Sequence, residues 1–288
     1  MSKKYLTILS GSPRGGEKTW ESLYRNVLNV LDSDLAICTG SKWIKGQSFV
    51  REAKYQWIID EPEDWFDYYR DNLTGSWEDF FNKGKTTGLY NSGAIHFALK
   101  DIILKNHLKE VLNYEQIIYT RFDQLYLDYH PDLSNEKIWI PKGEDYYGVC
   151  DRHAVVPNKY IEKYLNILSY VNSDQALALD SKHINCEVAY LNALHYERLD
   201  NIVARYPRIQ FTTTLKSDPT NWRVAKYKIY FYNGLMLKYP DEFIDSFKSL
   251  STLQKGKVLF SSDIMLLMNY LYLRFKITLG AFKSILTT

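Results

Sequence analysis

The sequence has few of the residues that cross-link a chain or interrupt its regular structure. Of 288 residues, 3 are cysteines, 14 are glycines and 8 are prolines. The cysteines, Cys38, Cys150 and Cys186, lie far apart and form no CxxC pair. Neither a disulfide framework nor a zinc knuckle is therefore predicted, and the composition excludes a fibrous or low-complexity chain.

Long apolar runs are also missing. The segment closest to a membrane span is residues 264–273, short of the roughly 18 apolar residues that a span requires. The apolar run at residues 5–10 is too short for a signal peptide, so we expect a cytoplasmic protein. From Asp263 onward, apolar residues recur every three or four positions among basic ones. This pattern predicts a C-terminal helix that either packs on the core or lies on the inner face of a membrane.

Neither sign of charge dominates. Lys and Arg number 36 against 34 Asp and Glu, a net charge of +2, so we expect no nucleic-acid partner.

HExxH and GxSxG motifs are absent, which gives no support to a metalloprotease or a serine hydrolase. Aromatic residues are abundant, at 15% with 24 tyrosines. Such rings suit core packing and also flat, hydroxyl-rich ligands, including those of a non-enzymatic carbohydrate-binding module.

The order of apolar runs predicts an α/β fold. Residues 4–10 read as a buried strand that leads through a glycine turn into a helix over 17–31 and a second strand over 35–38. A helix over 94–112 precedes a central strand over 116–121. Further strands are predicted at 137–140, 147–156, 202–204 and 210–213, and further helices at 157–171 and 183–197. The expected fold class is a mixed Rossmann-like sheet flanked by helices.

Two segments are less regular. Residues 41–94 combine tryptophans, acidic residues and glycines, which predicts loops and short helices suited to a substrate lid. Residues 216–288 are rich in Tyr, Leu, Phe and Lys and are predicted to form a helical C-terminal extension. We therefore expect a catalytic domain over residues 1–215 with the extension packed on it.

The turn from Ser10 to Gly16 can bind phosphate. Backbone N–H groups at a glycine turn and a helix N-terminus attract anions, and Arg14 can pair with them. The turn lacks GxxxxGK[ST], so a P-loop is not supported. Flavodoxin-like FMN reductases open with a similar turn, and sulfotransferases have a phosphate loop ending in a step like Thr19-Trp20. A tight turn with an exposed arginine is the structural alternative.

Arg121 and Asp123 follow the central strand, where ligands of open α/β sheets bind. A carboxylate there needs a cation or a hydrogen-bond partner. Asp123 can hold a divalent ion that bridges a diphosphate. Arg121 can contact the phosphate directly or pair structurally with Asp123.

The segment from Asp145 to His153 is a second candidate region. A transferase that inverts stereochemistry needs a carboxylate to deprotonate its acceptor. We take Asp151 as the first candidate base and Glu187 as the second. Structural alternatives are a pair between Asp151 and Arg152, and a charge at a helix N-terminus for Glu187.

Four short motifs in order resemble a group of GT-A-like glycosyltransferases found in bacterial polysaccharide clusters and large DNA viruses. The similar residues span roughly residues 5–200. They are Ser10, Gly11, Arg14 and Gly15 in the first turn, Arg121 and Asp123 after the central strand, Ile140, Pro141 and Gly143 in an Ile-Pro-x-Gly step, and Gly148, Asp151 and Arg152 in a Gly-x-x-Asp-Arg step.

This resemblance implies a hexosyl- or pentosyltransferase, inverting or retaining, that uses a nucleotide-sugar donor and a glycan or lipid-linked acceptor in surface polysaccharide synthesis. It implies donor binding by Ser10, Gly11, Arg14, Gly15, Arg121 and Asp123, catalysis by Asp151, Glu187 and Arg121, and acceptor binding by Asp145, Arg152 and His153. Asp123 stands where the family's metal-binding Asp-x-Asp motif ends, which allows Mn²⁺ or Mg²⁺. Arg121 replaces the first carboxylate of that motif, and an arginine can itself neutralise part of the phosphate charge.

Overall fold

The computed structural model describes residues 3–83, 92–179, 184–215, 217–218, 230–232 and 235–261, which form two sheets flanked by helices. The larger sheet consists of β1 (Tyr5–Ser10), β2 (Asp34–Gly40), β3 (Tyr55–Ile59), β4 (Gln116–Arg121), β6 (Ile138–Pro141), β7 (His153–Pro157) and β8 (Val203–Tyr206). The smaller sheet consists of β5 (Gln124–Tyr126), β9 (Gln210–Leu215), β10 (Tyr230–Tyr232) and β11 (Leu235–Leu237).

The strand order of the larger sheet is β3-β2-β1-β4-β7-β6-β8. Its first four strands are parallel and follow the Rossmann order, whereas β7 runs antiparallel to both of its neighbours. The predicted fold class, a mixed sheet flanked by helices, is confirmed. Flavodoxin-like proteins have the order 2-1-3-4-5, so the FMN reductase alternative does not fit this topology.

Helices cover both faces of the larger sheet. They are α1 (Gly16–Leu23), which continues through a π-helical turn (Tyr24–Leu28) into α2 (Asn29–Leu31), then α3 (Ser48–Glu52), α4 (Trp65–Asn72), α5 (Trp77–Lys83), α6 (Ser92–Val111), α7 (Asn158–Leu165), α8 (Ile167–Val171), α9 (Cys186–Tyr196), α10 (Pro240–Ser249) and α11 (Thr252–Ser261). Helices α4 to α9 pack on one face and α1 and α3 on the other. Within the ranges described, no helix combines the length and apolar character needed to cross a membrane.

The structure corrects several predicted boundaries. Residues 41–83 contain a strand, β3, besides short helices. The predicted strand over 147–156 begins only at His153, so Asp151 and Arg152 precede it. Residues 210–213 are part of β9, which belongs to the smaller sheet.

The C-terminal region is only partly helical. Strands β10 and β11 precede α10 and α11, so the prediction of an all-helical extension is wrong for residues 230–232 and 235–237. The domain boundary at residue 215 stays a prediction. Residues 262–288, including the helix proposed to touch a membrane, lie outside the described residues.

Candidate active site

A cleft opens where β1 and β4 end side by side. Ser10 and Arg121 are register partners at the carboxyl ends of these parallel strands. Strand order reverses at this point, and open α/β sheets bind ligands there. The cleft is shallow: its water-accessible space measures about 30 Å³, and it opens to solvent. Its lining residues are Ser10, Ser12, Arg14, Ile95, His96, Arg121 and Asp123.

The glycine turn forms one wall of this cleft. Gly11 has a φ of +105° and donates its N–H to the carbonyl of Cys38 at 3.1 Å. A Cβ on Gly11 would lie 2.9 Å from Cε1 of His96, so glycine also makes room for that ring. Burial and the charge of Arg121 lower the pKa of His96 well below its usual range, so the ring is neutral. Sequence reasoning missed His96 because it lies inside a long helix without a motif.

The N-terminus of α1 already carries a carboxylate. Gly15 donates its N–H to Oδ2 of Asp218 at 3.0 Å, and Leu215 donates to the same oxygen at 2.7 Å. The structure therefore corrects the prediction that the N–H of Gly15 faces a donor phosphate. An aspartate three residues beyond the end of β9 binds this N–H instead.

The Thr19-Trp20 step serves packing. The hydroxyl of Thr19 donates to the carbonyl of Gly15 at 3.0 Å and lies 2.9 Å from Oγ1 of Thr213. Trp20 is buried against Phe49 with ring centroids 4.8 Å apart. This hydroxyl already has two protein partners, so the geometry does not support the sulfotransferase alternative.

Arg121 and Asp123 form a bidentate pair at the edge of the cleft. Nε of Arg121 lies 3.1 Å from Oδ1 of Asp123, and Nη2 lies 2.8 Å from Oδ2. Asp123 occupies the turn between β4 and β5, and its carbonyl accepts the N–H of Thr213 at 2.8 Å. These bonds tie the two sheets together at the candidate site.

Two further cations lie near Asp123. Nζ of Lys238, directly after β11, is 3.7 Å from Oδ2 of Asp123 and almost fully buried. Arg14 lines the same cleft, and its buried Nε has no hydrogen-bond partner within the part of the chain that the structure describes. Burial alone would raise the pKa of Asp123, but Arg121, Lys238 and Arg14 hold it well below its usual range. Burial lowers the pKa of Lys238 to about 8 despite the nearby carboxylate.

This donor set does not fit a divalent metal. Both oxygens of Asp123 are bonded to Arg121, and Lys238 and Arg14 add positive charge around it. Mn²⁺ and Mg²⁺ are held mainly by several oxygen ligands. Across the described residues no group of three or more His, Cys, Asp and Glu side chains is placed to hold an ion.

A second cluster surrounds Arg152. Its Nη1 lies 2.7 Å from Oε1 of Glu187 and 3.4 Å from Oδ1 of Asp151. Thr120 of β4 pairs with His153 of the antiparallel strand β7, so Arg152, one residue before His153, lies at the same end of the sheet as Arg121. The structure thus brings both candidate bases to the carboxyl end of β4. It also shows that the pair between Asp151 and Arg152, considered as a structural alternative, is formed.

Glu187 is held in an unusual environment. Burial and the nearby charge of Asp151 raise the pKa of Glu187 to about 7, although Arg152 favours its charged form. Its backbone is packed against Gly148: a Cβ on that glycine would lie 2.0 Å from the carbonyl oxygen of Glu187. Val149 donates its N–H to the same carbonyl at 3.1 Å. The glycine of the Gly-x-x-Asp-Arg step therefore allows this close approach.

Two predicted acceptor residues have other roles. Asp145 accepts Nη2 of Arg205 at 2.7 and 2.8 Å and the N–H of Cys150 at 3.0 Å, which fixes the turn before β7. His153 has no exposed surface; its ring bonds to Tyr126 at 3.1 Å and His130 at 3.2 Å. The ring of His153 is therefore enclosed by Tyr126 and His130 and is not open to an acceptor. Its assignment to the acceptor site is corrected.

Arg152 also anchors the C-terminal region. Its Nε lies 3.0 Å from Oε1 of Glu242 on α10, and Arg208 donates to the same oxygen at 3.2 Å. Oε2 of Glu242 accepts the N–H of Thr212 at 2.6 Å. Glu242 is fully buried, and although burial would raise its pKa, Arg152 and Arg208 keep it lowered. This network fixes α10 beside the candidate site.

Lys100 of α6 is a buried lysine enclosed by tyrosine rings. Nζ of Lys100 on α6 lies 4.3, 4.9 and 3.8 Å from the ring centroids of Tyr119, Tyr164 and Tyr190 and donates to the hydroxyl of Tyr190. Burial lowers the pKa of Lys100 to about 7, although the charge of Asp151 acts to raise it. This aromatic cage compensates in part for the desolvation of the ammonium group.

A larger cavity of about 580 Å³ lies between α1, β5 and α11. Lys18, Arg25, Tyr129 and Lys257 are among its lining residues, and none of the predicted site residues lines it. The clustered charges therefore locate the candidate chemistry in the smaller cleft.

Comparisons with known proteins identify no family for this chain. No family model and no curated protein sequence matches the chain. Among solved structures, it is similar to a crystal structure of a glycosyltransferase involved in the glycosylation of the major capsid of PBCV-1. The two share 10% identity at a TM-score of 0.39, over 70% of this chain and 81% of that chain.

Proposed function

We propose that this protein is a glycosyltransferase that uses a nucleotide-sugar donor. One observation carries the proposal: Arg14, Arg121 and Lys238 surround the single carboxylate of Asp123 at the end of β4. Such a surplus of positive charge suits the diphosphate that leaves during transfer, because preorganised cations stabilise developing negative charge. The four ordered motifs in the sequence support the same function.

The second cluster supplies the proton acceptor. Asp151 and Glu187 lie at the same end of the sheet as Arg121. In an inverting transfer, an acceptor hydroxyl gives its proton to one of these carboxylates while its oxygen bonds to the anomeric carbon of the sugar. The bond from that carbon to the diphosphate breaks, and both electrons leave with the phosphate oxygen. A retaining transfer would not require this base.

Glu187 is suited to accept this proton. A general base is most effective when its pKa lies near the working pH, and the pKa of Glu187 is raised to about 7 by burial and by Asp151. Arg152 positions both carboxylates, so we assign it a positioning role instead of acceptor binding. The motif resemblance adds the finer part of the proposal. The transferred sugar is a hexose or a pentose, and the acceptor is a glycan or a lipid-linked molecule in surface polysaccharide synthesis.

A thermal-shift panel tests the proposal. The purified protein is heated with UDP, GDP, CDP or dTDP, each with and without Mn²⁺, and with FMN and adenosine 3′,5′-bisphosphate in parallel. A ligand at a hundred times its Kd stabilises a protein by about 2.7 kcal/mol. We expect one nucleoside diphosphate to raise the midpoint. A response to FMN or the bisphosphate alone would overturn the assignment.

A matched pair of variants locates the binding. Arg14→Gln removes a cation from the cleft, whereas Arg51→Gln removes an exposed one from α3. We expect the shift to be lost in the first variant and kept in the second. Equal shifts in both would place the nucleotide elsewhere.

A further inference from the structure

The cations of the cleft lie where a sugar-nucleotide transferase would need to neutralise diphosphate. Arg121 holds Asp123 through two bonds of 3.1 and 2.8 Å, which leaves neither carboxylate oxygen without a cationic partner. Nζ of Lys238 approaches the same carboxylate at 3.7 Å. Asp123 is therefore surrounded by cations that it can orient. A metal ligand would instead be surrounded by other oxygen ligands.

Lys238 reaches this position through the smaller sheet. Its N–H donates to the carbonyl of Thr212 at 3.0 Å, and Asp123 accepts the N–H of Thr213 at 2.8 Å. Strand β9 therefore places Lys238 beside Asp123, and Asp123 lines the cleft. Apart from Asp123, no carboxylate lies within ion-pair distance of Lys238 in the described ranges. Burying a lysine beside one carboxylate that already binds an arginine is costly, which points to a further anionic partner.

We propose that Lys238, together with Arg121 and Arg14, binds the donor diphosphate in place of a divalent metal. This inference rests on the proposed function and adds to it a binding residue and the absence of a metal requirement. Asp123 acts as a positioning residue, which fixes the guanidinium of Arg121 and the ammonium of Lys238 toward the phosphates. Arg14, whose Nε has no partner among the described residues, supplies the third cation.

Isothermal titration with the nucleoside diphosphate that gives the thermal shift tests this inference. The wild-type protein is titrated once with excess EDTA and once with saturating MnCl₂. We expect the same Kd in both conditions. Binding that appears only with Mn²⁺ would overturn the metal-free site while leaving the proposed function intact. Failure of every nucleoside diphosphate to bind in either condition would overturn the proposed function, and this inference with it.

Variants then separate the two roles. Lys238→Met should weaken binding about tenfold or more, which corresponds to about 1.4 kcal/mol, and Lys238→Arg should restore most of it. Lys248→Met removes an exposed lysine of α10 that pairs with Asp245 and is the matched control. Unchanged binding by Lys238→Met, with melting like that of wild type, would exclude Lys238 from the site.

Asp123→Asn provides an independent measurement. If Asp123 orients cations, the variant weakens nucleotide binding equally with EDTA and with Mn²⁺. If Asp123 held a metal, the loss would be confined to the Mn²⁺ titration. Direct titration of MnCl₂ into wild-type protein completes the set, and a Mn²⁺ site that the Asn variant abolishes would contradict the inference.

Discussion

Arg152 and Glu187 form a buried ion pair, with Nη1 2.7 Å from Oε1. The same nitrogen lies 3.4 Å from Asp151. One guanidinium group therefore holds three carboxylates, those of Asp151, Glu187 and Glu242. Burial and the nearby charge of Asp151 raise the pKa of Glu187 to about 7, although Arg152 favours the charged form. The catalytic predictions depend on that arrangement.

The activity should depend on the ionisation of Glu187. A base must be ionised to accept a proton, and its ionised fraction rises with pH. We therefore expect kcat/KM to rise with pH and level off above about 7. In Glu187→Gln, this rise of kcat/KM with pH should disappear, and the rate should fall by about 10²- to 10⁴-fold. Glu136→Gln, an exposed partner of Lys159, should keep the wild-type profile. If kcat/KM of Glu187→Gln still rises with pH, Asp151 is the base instead.

Gly148→Ala should displace the carboxylate of Glu187 while leaving the chemical group itself unchanged. The added Cβ would meet the backbone of Glu187 and Val188 at 2.0 and 2.4 Å, so the chain must shift. Overpacking of this kind costs about 1–3 kcal/mol, and we expect lower stability together with reduced activity. Gly256→Ala, where nothing lies within 4 Å of the new atom, is the control. Urea denaturation and kcat measure both effects, and an unaffected Gly148→Ala would show that the turn adapts freely.

Lys100→Met should stabilise the protein near neutral pH. Burial lowers the pKa of Lys100 from 10.5 to about 7, so below pH 7 the folded state keeps a desolvated charge. As the pH rises from 7 to 10.5, the folded state loses this proton before the unfolded state does, and wild-type stability increases. The penalty at pH 7 and below is on the order of 5 kcal/mol at most, at about 1.36 kcal/mol per pKa unit.

Denaturation of wild type and Lys100→Met at about pH 7 and about pH 10 measures this difference. We expect the variant to be more stable at the lower pH, with an advantage that shrinks at the higher one. A variant that is less stable at both values would mean that the contacts of the ammonium group with the three tyrosines outweigh its desolvation.

Glu242→Gln should destabilise the junction between the two sheets. It would leave Arg152 and Arg208 buried without this carboxylate, and breaking a buried ion pair typically costs about 3–5 kcal/mol. Asp245→Asn on the exposed side of the same helix should change stability by less than about 1 kcal/mol. Equal effects of the two variants in urea denaturation would contradict a central role for Glu242.

The central strands could be predicted because their apolar runs are local signals. The predicted strand over residues 116–121 matches β4 residue for residue, and β1 differs by one residue at its start. Strand β3 was missed because YQWII lies at the sheet edge among tryptophans and acidic residues. Asp151 and Arg152 were placed within a strand because the turn before β7 depends on Asp145 and Arg205, which are 60 residues apart.

The site could be predicted only where its residues follow a strand. Arg121 and Asp123 were found in this way, and the structure places Arg14 in the same cleft. Lys238 and Glu242 were missed because they reach the site through the pairing of β9 with β5 and β11, which has no local signature. His153 was misplaced because the side to which a strand residue points depends on where the strand begins.

The most direct test of the central claim is consumption of a nucleotide sugar. The protein is incubated with a mixture of UDP-, GDP-, CDP- and dTDP-sugars in the presence of EDTA, and mass spectrometry follows each donor. We predict that one donor loses its sugar to an acceptor or to water and releases its nucleotide, and that Arg121→Gln prevents this. If every donor persists while FMN or adenosine 3′,5′-bisphosphate stabilises the protein, the claim that the cleft binds a nucleotide-sugar donor is wrong.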